Sequence, residues 1–586
     1  MTYIFQHRKL GILIVFVSSL VFNLFSVYLH YKVDFVANAK FTSVASFTWF
    51  TSLVLFGLLI FTCFKDKKMH EDKKVAFNNY EKFYIVIILI LGISLRLYKI
   101  NFHGIYLDEW YWLSQASDVL NGIVKSPFGF IGDQPSNMPV YPVALLLALL
   151  KNTYLAVRLP GVLYSLFSIL LSFYFLKEAF NKKIALIGLT LLSTSIWDIH
   201  MTQLGWNNVN LNPFLISGTI FYLYRGLKRE STGDIFIAGI FLGISLNLLY
   251  IAVLNIAVAA IYFIYKLITL KKQRASILYL FLVMIVTIFI TSSPTLVKIN
   301  KYRQQSLTRH KNFIGDNLNF SKNQGGIYYY GEQIKLTIKD FDFDENKYKI
   351  MGLWGITLEP IVVLFFIIGL VYALKVFYKS ESIIILASFG VMFVPVVFLY
   401  RTTSVWREYG FLPSIYMLAA IGAYSISKLL AKLPILSSLG RKLLFFVLVV
   451  YLLSFGYYFN RYRNNTLLHE DDIYENYCKK TAVYINNNIP ENTLILLPNE
   501  MCRELISIVL WQKYRYATYD SYEDINRYLK KNPKIAIVKI SDSSYSSQFA
   551  KLNLLPVFEE KLSNNYSLKS YIIRGENGKI YSVLFQ

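Results

Sequence analysis

Cysteine is scarce in this chain. Cys63, Cys478 and Cys502 are its three cysteines, none in a CxxC or His/Cys spacing, so zinc-ribbon and redox readings have no support. Cys478 and Cys502 share the C-terminal tail, where a location outside the cytoplasm would permit pairing. Charge is scarce as well: 16% of residues are charged against 55% hydrophobic, with a mean hydropathy of +0.43. That is too apolar for an ordinary water-soluble domain and calls for a membrane solvent. Acidic residues number 36 against 60 Lys and Arg, giving a net charge of +24. Much of this excess lies between apolar runs and not in basic stripes on a polar domain. It reads as topology and lipid-surface charge, with no nucleic acid as partner. There is no GxxxxGK[ST], which argues against an ATP-driven transporter. No small-x-small cleavage site follows the first apolar run, which is too long for a signal peptide and reads as an uncleaved span.

What is present is a succession of apolar runs near bilayer-spanning length, about thirteen by a criterion of roughly 20 residues. They cover 10–31, 41–64, 83–100, 155–176, 184–199, 211–224, 235–250, 251–270, 276–297, 358–378, 383–400, 409–427 and 443–459. The pair meeting near Tyr250 leaves almost no loop, so one of the two reads as re-entrant or tilted. Basic clusters at Lys65–Lys74, Lys177–Lys183, Arg225–Arg229, Lys271–Arg274 and Lys428–Lys442 fall on one side, which is then the cytoplasm. Residues 101–154, 200–210, 298–357, 401–408 and everything after 460 face the other side. The expected fold is a polytopic α-helical membrane protein with a small C-terminal extracytoplasmic α/β domain. Residues 1–82 form two additional N-terminal spans with a cytoplasmic loop, 83–460 the transmembrane catalytic domain, and 461–586 the α/β domain. The tail alternates helix-like stretches (470–488, 500–512, 522–531) with strand-like runs such as Thr493–Pro498, Lys534–Ser541 and Tyr571–Arg574. Gly239 and Gly243 form a GxxxG whose plain reading is helix packing.

The outer segments carry the candidate chemistry. The first opens with Asp108 and Glu109 directly before Trp110, Tyr111, Trp112 and Leu113, which suggests an interfacial helix whose acidic N-terminus faces a cavity. A cap with a favourable helix-dipole charge would read the same way. Gln134 to Pro142, including Asn137, leads into an apolar run too short to span, fitting a second surface-lying helix or a Pro-rich loop. His200, Gln203, Asn207 and Asn208 crowd the next outer loop with hydrogen-bonding groups suited to sugar hydroxyls or phosphate; a polar turn between spans looks alike. Arg309 and His310, then Arg407 and Tyr409, stand in later outer segments, where Arg can bind a phosphate bidentately or lie among lipid headgroups. Asp340, Asp342 and Asp344 read as a solvated turn and not as a metal site.

Taken in order, these segments resemble the GT-C superfamily of membrane glycosyltransferases, and within it the relatives of protein O-mannosyltransferases and the aminoarabinose transferase of lipid A. The features are Asp108-Glu109 after a span, Gln134 to Pro142, Val157-Arg158-Leu159-Pro160, Thr202 to Asn208, Gly243-Ile-Ser-Leu, Ser293-Pro294 before Arg309, and Arg407 to Pro413. They cover most of 83–430. The resemblance implies a sugar transferred from a polyprenyl-phosphate donor to a protein, lipid or cell-wall glycan acceptor outside the plasma membrane. Asp108 matches the family's general base, and Glu109 would order the loop or the donor. Direct displacement with one base implies inversion at the anomeric carbon. Arg309 and Arg407 would hold the departing lipid phosphate. Two departures stand out: Asn207 and Asn208 occupy a stretch where many relatives carry a second acid, which leaves a divalent metal in doubt, and Gln134 replaces a lysine. The competing class is a transporter or flippase of polyprenyl-linked saccharides. That class should show repeat symmetry and ionisable residues at mid-membrane, and neither is clear in the sequence.

Overall fold

The structure is a computed structural model that describes residues 2–32, 39–63, 77–100, 107–122, 127–128, 138–248, 250–301, 326–339, 348–349, 353–354, 357–398, 408–432, 442–468, 485, 487–490, 493–498, 515–519, 535–541, 569–574 and 580–585. Its helices are α1 (Thr2–Lys32), α2 (Ala39–Cys63), α3 (Asn79–Leu97), α4 (Leu107–Leu120), α5 (Val140–Leu150), α6 (Thr153–Ala179), α7 (Lys182–Ser193), α8 (Ile196–Gln203) and α9 (Asn207–Arg229). There follow α10 (Thr232–Leu246), α11 (Tyr250–Val253), α12 (Asn255–Thr269), α13 (Arg274–Lys301), α14 (Ile327–Lys339), α15 (Pro360–Lys375), α16 (Ser380–Phe398), α17 (Leu412–Leu430) and α18 (Lys442–Leu468).

Local chemistry sets many of the starts. Asn78 and Glu81 form a reciprocal capping box at α3, each side chain bonding the other's backbone N–H. Asn152, Asn181, Ser195 and Ser231 cap α6, α7, α8 and α10 through their side-chain oxygens. Between the helices, small residues allow close approach. A Cβ on Gly239 or Gly243 would lie within 2.6 Å of Thr287 or Thr291, so the GxxxG faces α13 and acts in packing within the chain.

Among the described residues, six helical segments are long and apolar enough to cross a membrane: Ile14–Lys32, Ser43–Phe61, Thr153–Ala179, Lys271–Lys301, Tyr409–Leu430 and Leu443–Asn464. A seventh arises if α7 and α8, bent by 48° at their junction, are one span. Large side chains such as Phe47, Leu282 and Phe445 point outward from these helices, where lipid would shelter them. The chain is thus read as a multi-pass membrane protein. The expected count of about thirteen is not reached among the described residues. Four further apolar helices, such as Val140–Leu150 and Pro360–Lys375, and the stretch Ser380–Val394 of α16 are shorter than 18 residues, and α3 and α9 fall outside the six and the bent pair. Near Tyr250 the expected pair of spans is a broken run of α10, the four-residue α11 and α12.

A short antiparallel pair, β1 (Tyr348–Lys349) and β2 (Leu353–Trp354), precedes α15. The tail holds a five-stranded sheet of β3 (Leu494–Pro498), β4 (Arg515–Tyr519), β5 (Ile535–Ser541), β6 (Lys569–Arg574) and β7 (Ile580–Phe585) in the order β4-β3-β5-β7-β6. β3 runs parallel to β4 and β5, and β7 antiparallel to β5 and β6. The three strand-like runs are strands; nearly all of the helix-like stretches expected between them lies outside the described residues.

Candidate active site

The acid pair sits in the first turn of α4. Glu109, Trp112, Leu113 and Ala116 are all buried, an i, i+3, i+4, i+7 stripe that turns Glu109 toward the protein. There the Arg158 guanidinium, near the start of α6, donates from Nε to Glu109 Oε1 at 2.6 Å and from its second terminal nitrogen to Oε2 at 2.8 Å. Arg158 also donates to the Ile100 carbonyl at 2.6 Å, where the chain leaves α3. The Gly205 N–H, in the turn between α8 and α9, donates to Glu109 Oε1 at 2.7 Å. Glu109 and Arg158 together thus join α4, α6, the end of α3 and the turn between α8 and α9. Position 205 needs glycine: a Cβ there would lie 2.9 Å from the Val157 carbonyl and 3.0 Å from Glu109 Oε1. Further along α4, burial holds the Asp118 carboxyl above the ordinary carboxylate range.

A second buried cluster supports the first. Arg96 of α3 uses all five of its N–H groups: Nε to Ser165, one terminal nitrogen to the Gly92 and Ser193 carbonyls, the other to the Leu192 carbonyl and to Asp198. Asp198 also accepts from Ser165 and from the Tyr409 hydroxyl. Its own N–H is capped by Ser195 at 3.1 Å.

The residues expected to line a pocket are placed as follows. Gln203 is buried, its amide donating to the carbonyls of Leu95, Arg96 and Tyr98 and its oxygen accepting from Arg463. Asn207 donates to the carbonyls of Val157 and Gly205, and the Asn208 oxygen accepts from the Val209 N–H. His200 is buried with its Nδ1 2.9 Å from the Tyr462 hydroxyl. Tyr409 is fully buried against Asp198. Gln203, Asn207, Asn208, His200 and Tyr409 are thus each buried, with the named polar atoms bonded inside the protein. Asp108 lies in the described backbone of α4, but its side chain, like Gln134, Asn137, Arg309, His310, Arg407 and the Asp340–Asp344 run, lies outside the described residues. Among the described residues no three His, Cys, Asp or Glu side chains come together as a metal-binding group.

Two partnerships were missed at the sequence level, Arg158 with Glu109 and Arg96 with Asp198. Arg96 and Asp198 each interrupt an apolar run, and lone charges in such runs need partners. That signal was available.

The chain is similar in structure to ArnT from Cupriavidus metallidurans in its apo state, with a TM-score of 0.52 at 12% identity, covering 86% of this chain and 97% of that one. The same enzyme bound to undecaprenyl phosphate gives 0.51 at 11% identity, covering 87% and 98%. This is a GT-C fold. The dolichyl-phosphate-mannose-protein mannosyltransferase family matches residues 133–296, the part of the GT-C core that runs from before α5 into α13. The archaeal oligosaccharyltransferase AglB from Archaeoglobus fulgidus gives a TM-score of 0.47 at 11% identity, covering 86% of this chain and 74% of that one. No curated protein matches the chain by sequence.

Proposed function

We propose that the chain is a glycosyltransferase that moves a hexosyl or pentosyl group from a polyprenyl-phosphate donor to an acceptor outside the plasma membrane. The observation that carries this reading is the pinned first turn of α4. Arg158 and the Gly205 N–H fix Glu109, and position 108 lies about 100° round the helix from it. Glu109 is then the residue that orders the turn, and Asp108 the group left for chemistry. A carboxylate in the first turn of a helix is favoured in its ionised form, which is the form that accepts a proton.

In the proposed reaction Asp108 takes the proton of the acceptor hydroxyl as that oxygen bonds to the anomeric carbon. The bond from that carbon to the phosphate oxygen breaks, with inversion, and the polyprenyl phosphate departs with the electron pair. Arg309 and Arg407 would bind that phosphate. The family match over 133–296 and the likeness to an enzyme whose structure holds undecaprenyl phosphate support a donor of this kind. The C-terminal sheet would belong to an extracytoplasmic α/β domain on the same side as the site. The acceptor class stays open among protein, lipid and cell-wall glycan.

The test is transfer from a pool of polyprenyl-phosphate sugars by the full chain in nanodiscs, comparing wild type with Asp108→Asn. The expected result is a loss of at least about 100-fold with the fold intact, the scale of general-base catalysis. Equal transfer by both removes Asp108 from the chemistry. No transfer by either, with lipid-linked sugar crossing the bilayer of liposomes, establishes the flippase alternative.

A further inference from the structure

The two N-terminal helices dock at a point that a proline creates. Pro294 stands inside α13 and has no N–H, so the carbonyl of Ile290, four residues earlier, loses its helical donor. Two side chains of the α1–α2 hairpin occupy that carbonyl: Asn23 Nδ2 at 3.2 Å and Trp49 Nε1 at 3.0 Å. Asn23 also donates to Ser293 Oγ at 3.1 Å and Ser52 Oγ at 3.3 Å, and Ser19 donates to the Ser52 carbonyl at 2.8 Å. Ser19, Asn23, Ser52 and Ser293 are buried within the protein and Trp49 is half-buried, and in contact with lipid such polar groups would be costly. The bonds therefore fix where on α13 the hairpin sits.

The same hairpin grips a second part of the chain. Phe128, in the connection between α4 and α5, is fully buried, with the Trp49 ring 4.7 Å away at 73° and the His30 ring 5.4 Å away at 86°. Both are edge-to-face contacts. Trp49 thus holds α13 through its N–H and the α4–α5 connection through its ring. A membrane anchor would need only an apolar surface such as that of Phe47 and Phe50, which face outward.

We infer that Trp49 is a positioning residue for the candidate active site. The hairpin clamps the connection leaving α4 to α13, so that α4 is held at its start by Glu109 and Arg158 and beyond its end by Phe128. The catalytic consequence rests on the glycosyltransferase reading; the clamp itself does not.

The experiment follows hydrogen exchange of α4 amides and transfer kinetics in nanodiscs for wild type, Trp49→Ala, Trp49→Phe, Phe128→Leu and the lipid-facing control Phe50→Leu. Trp49→Ala should speed exchange in the last turns of α4 and lower kcat/KM by up to about tenfold, as loss of an aromatic pair allows. Trp49→Phe, which keeps a ring and loses the N–H, should fall between, and Phe50→Leu should match wild type. Unchanged α4 exchange in Trp49→Ala, with only a lower unfolding temperature, overturns the clamp and leaves an anchor. If Trp49→Ala does not fold, Trp49→Phe and Phe128→Leu decide, and unchanged α4 exchange in both overturns it. If wild type transfers nothing, the glycosyltransferase reading fails while the exchange arm still decides the clamp.

Discussion

Arg158 grips both carboxylate oxygens of Glu109 across 49 residues of chain, and neither side chain is exposed. This separates the two members of an acid pair that look equivalent in the sequence. Glu109 is bound to a guanidinium and a backbone N–H. Position 108 lies about 100° round the helix from Glu109. In the proposed reaction Glu109 is the structural acid and Asp108 the base.

Removing one partner of the Glu109–Arg158 pair should be severe. Arg158→Met leaves a buried carboxylate uncompensated and is expected to cost about 3–5 kcal/mol. Arg158→Lys keeps the charge but loses the two-pronged geometry, so it should rescue only in part. The double variant Glu109→Gln with Arg158→Met should be less damaging than Arg158→Met alone. Thermal unfolding in detergent measures all three; a double variant worse than the single would show that the pair is not the source of the loss.

Tyr409 gives a sharper test of scaffold against pocket. Its hydroxyl donates to Asp198, a carboxylate already bound by Arg96 and Ser165. Tyr409→Phe removes one hydrogen bond to a charged group and should cost about 1.5–3 kcal/mol of stability. The KM for the lipid-linked donor should not change. A raised donor KM with unchanged stability would return Tyr409 to the pocket.

The sequence carried the membrane class, the acid pair and the order of polar segments, because bilayer-length apolar runs and lone charges within them are local signals. The inward bonds of His200, Gln203, Asn207 and Asn208 are not legible in it. Polar residues at helix ends look the same whether they face a ligand or another helix's carbonyls, as Gln203 does with Leu95, Arg96 and Tyr98. Which faces meet is a long-range property. The strands Arg515–Tyr519 and Ile580–Phe585 are not among the strand-like runs named from sequence, although they are as long as β3 and β6, which are. Pairing with β3, β5 and β6 supplies what their local sequence does not.

Gly205→Ala probes the turn that reaches Glu109. The added Cβ would meet Val157 Cγ2 at 2.7 Å, the Val157 carbonyl at 2.9 Å and Glu109 Oε1 at 3.0 Å. Two of these are backbone or a fixed carboxylate, so the turn must move, at a cost of about 1–3 kcal/mol. Transfer should fall along with stability, since the displaced group is the one that orders the Asp108 turn. Faster hydrogen exchange at the start of α4 is the direct readout, and wild-type exchange there would remove the turn from the site's support.

Glycines elsewhere in the membrane helices should respond with opposite signs. α15 and α17 cross at backbone contact: a Cβ on Gly369 would sit 1.8 Å from the Leu418 carbonyl oxygen, and one on Gly422 1.8 Å from the Phe365 carbonyl oxygen. Neither carbonyl can step aside without parting the helices, so Gly369→Ala and Gly422→Ala should each cost on the order of 3 kcal/mol. Because α17 begins beside Tyr409, the separation would also loosen the Asp198 cluster. Gly390 in α16 and Gly456 in α18 meet nothing within 4 Å, and alanine there only stiffens the unfolded chain and favours helix. Those two substitutions should be neutral or stabilising by up to about 1 kcal/mol. Thermal unfolding of the four single variants decides it: equal losses at Gly390 and Gly422 would mean that backbone contact is not what holds α15 against α17.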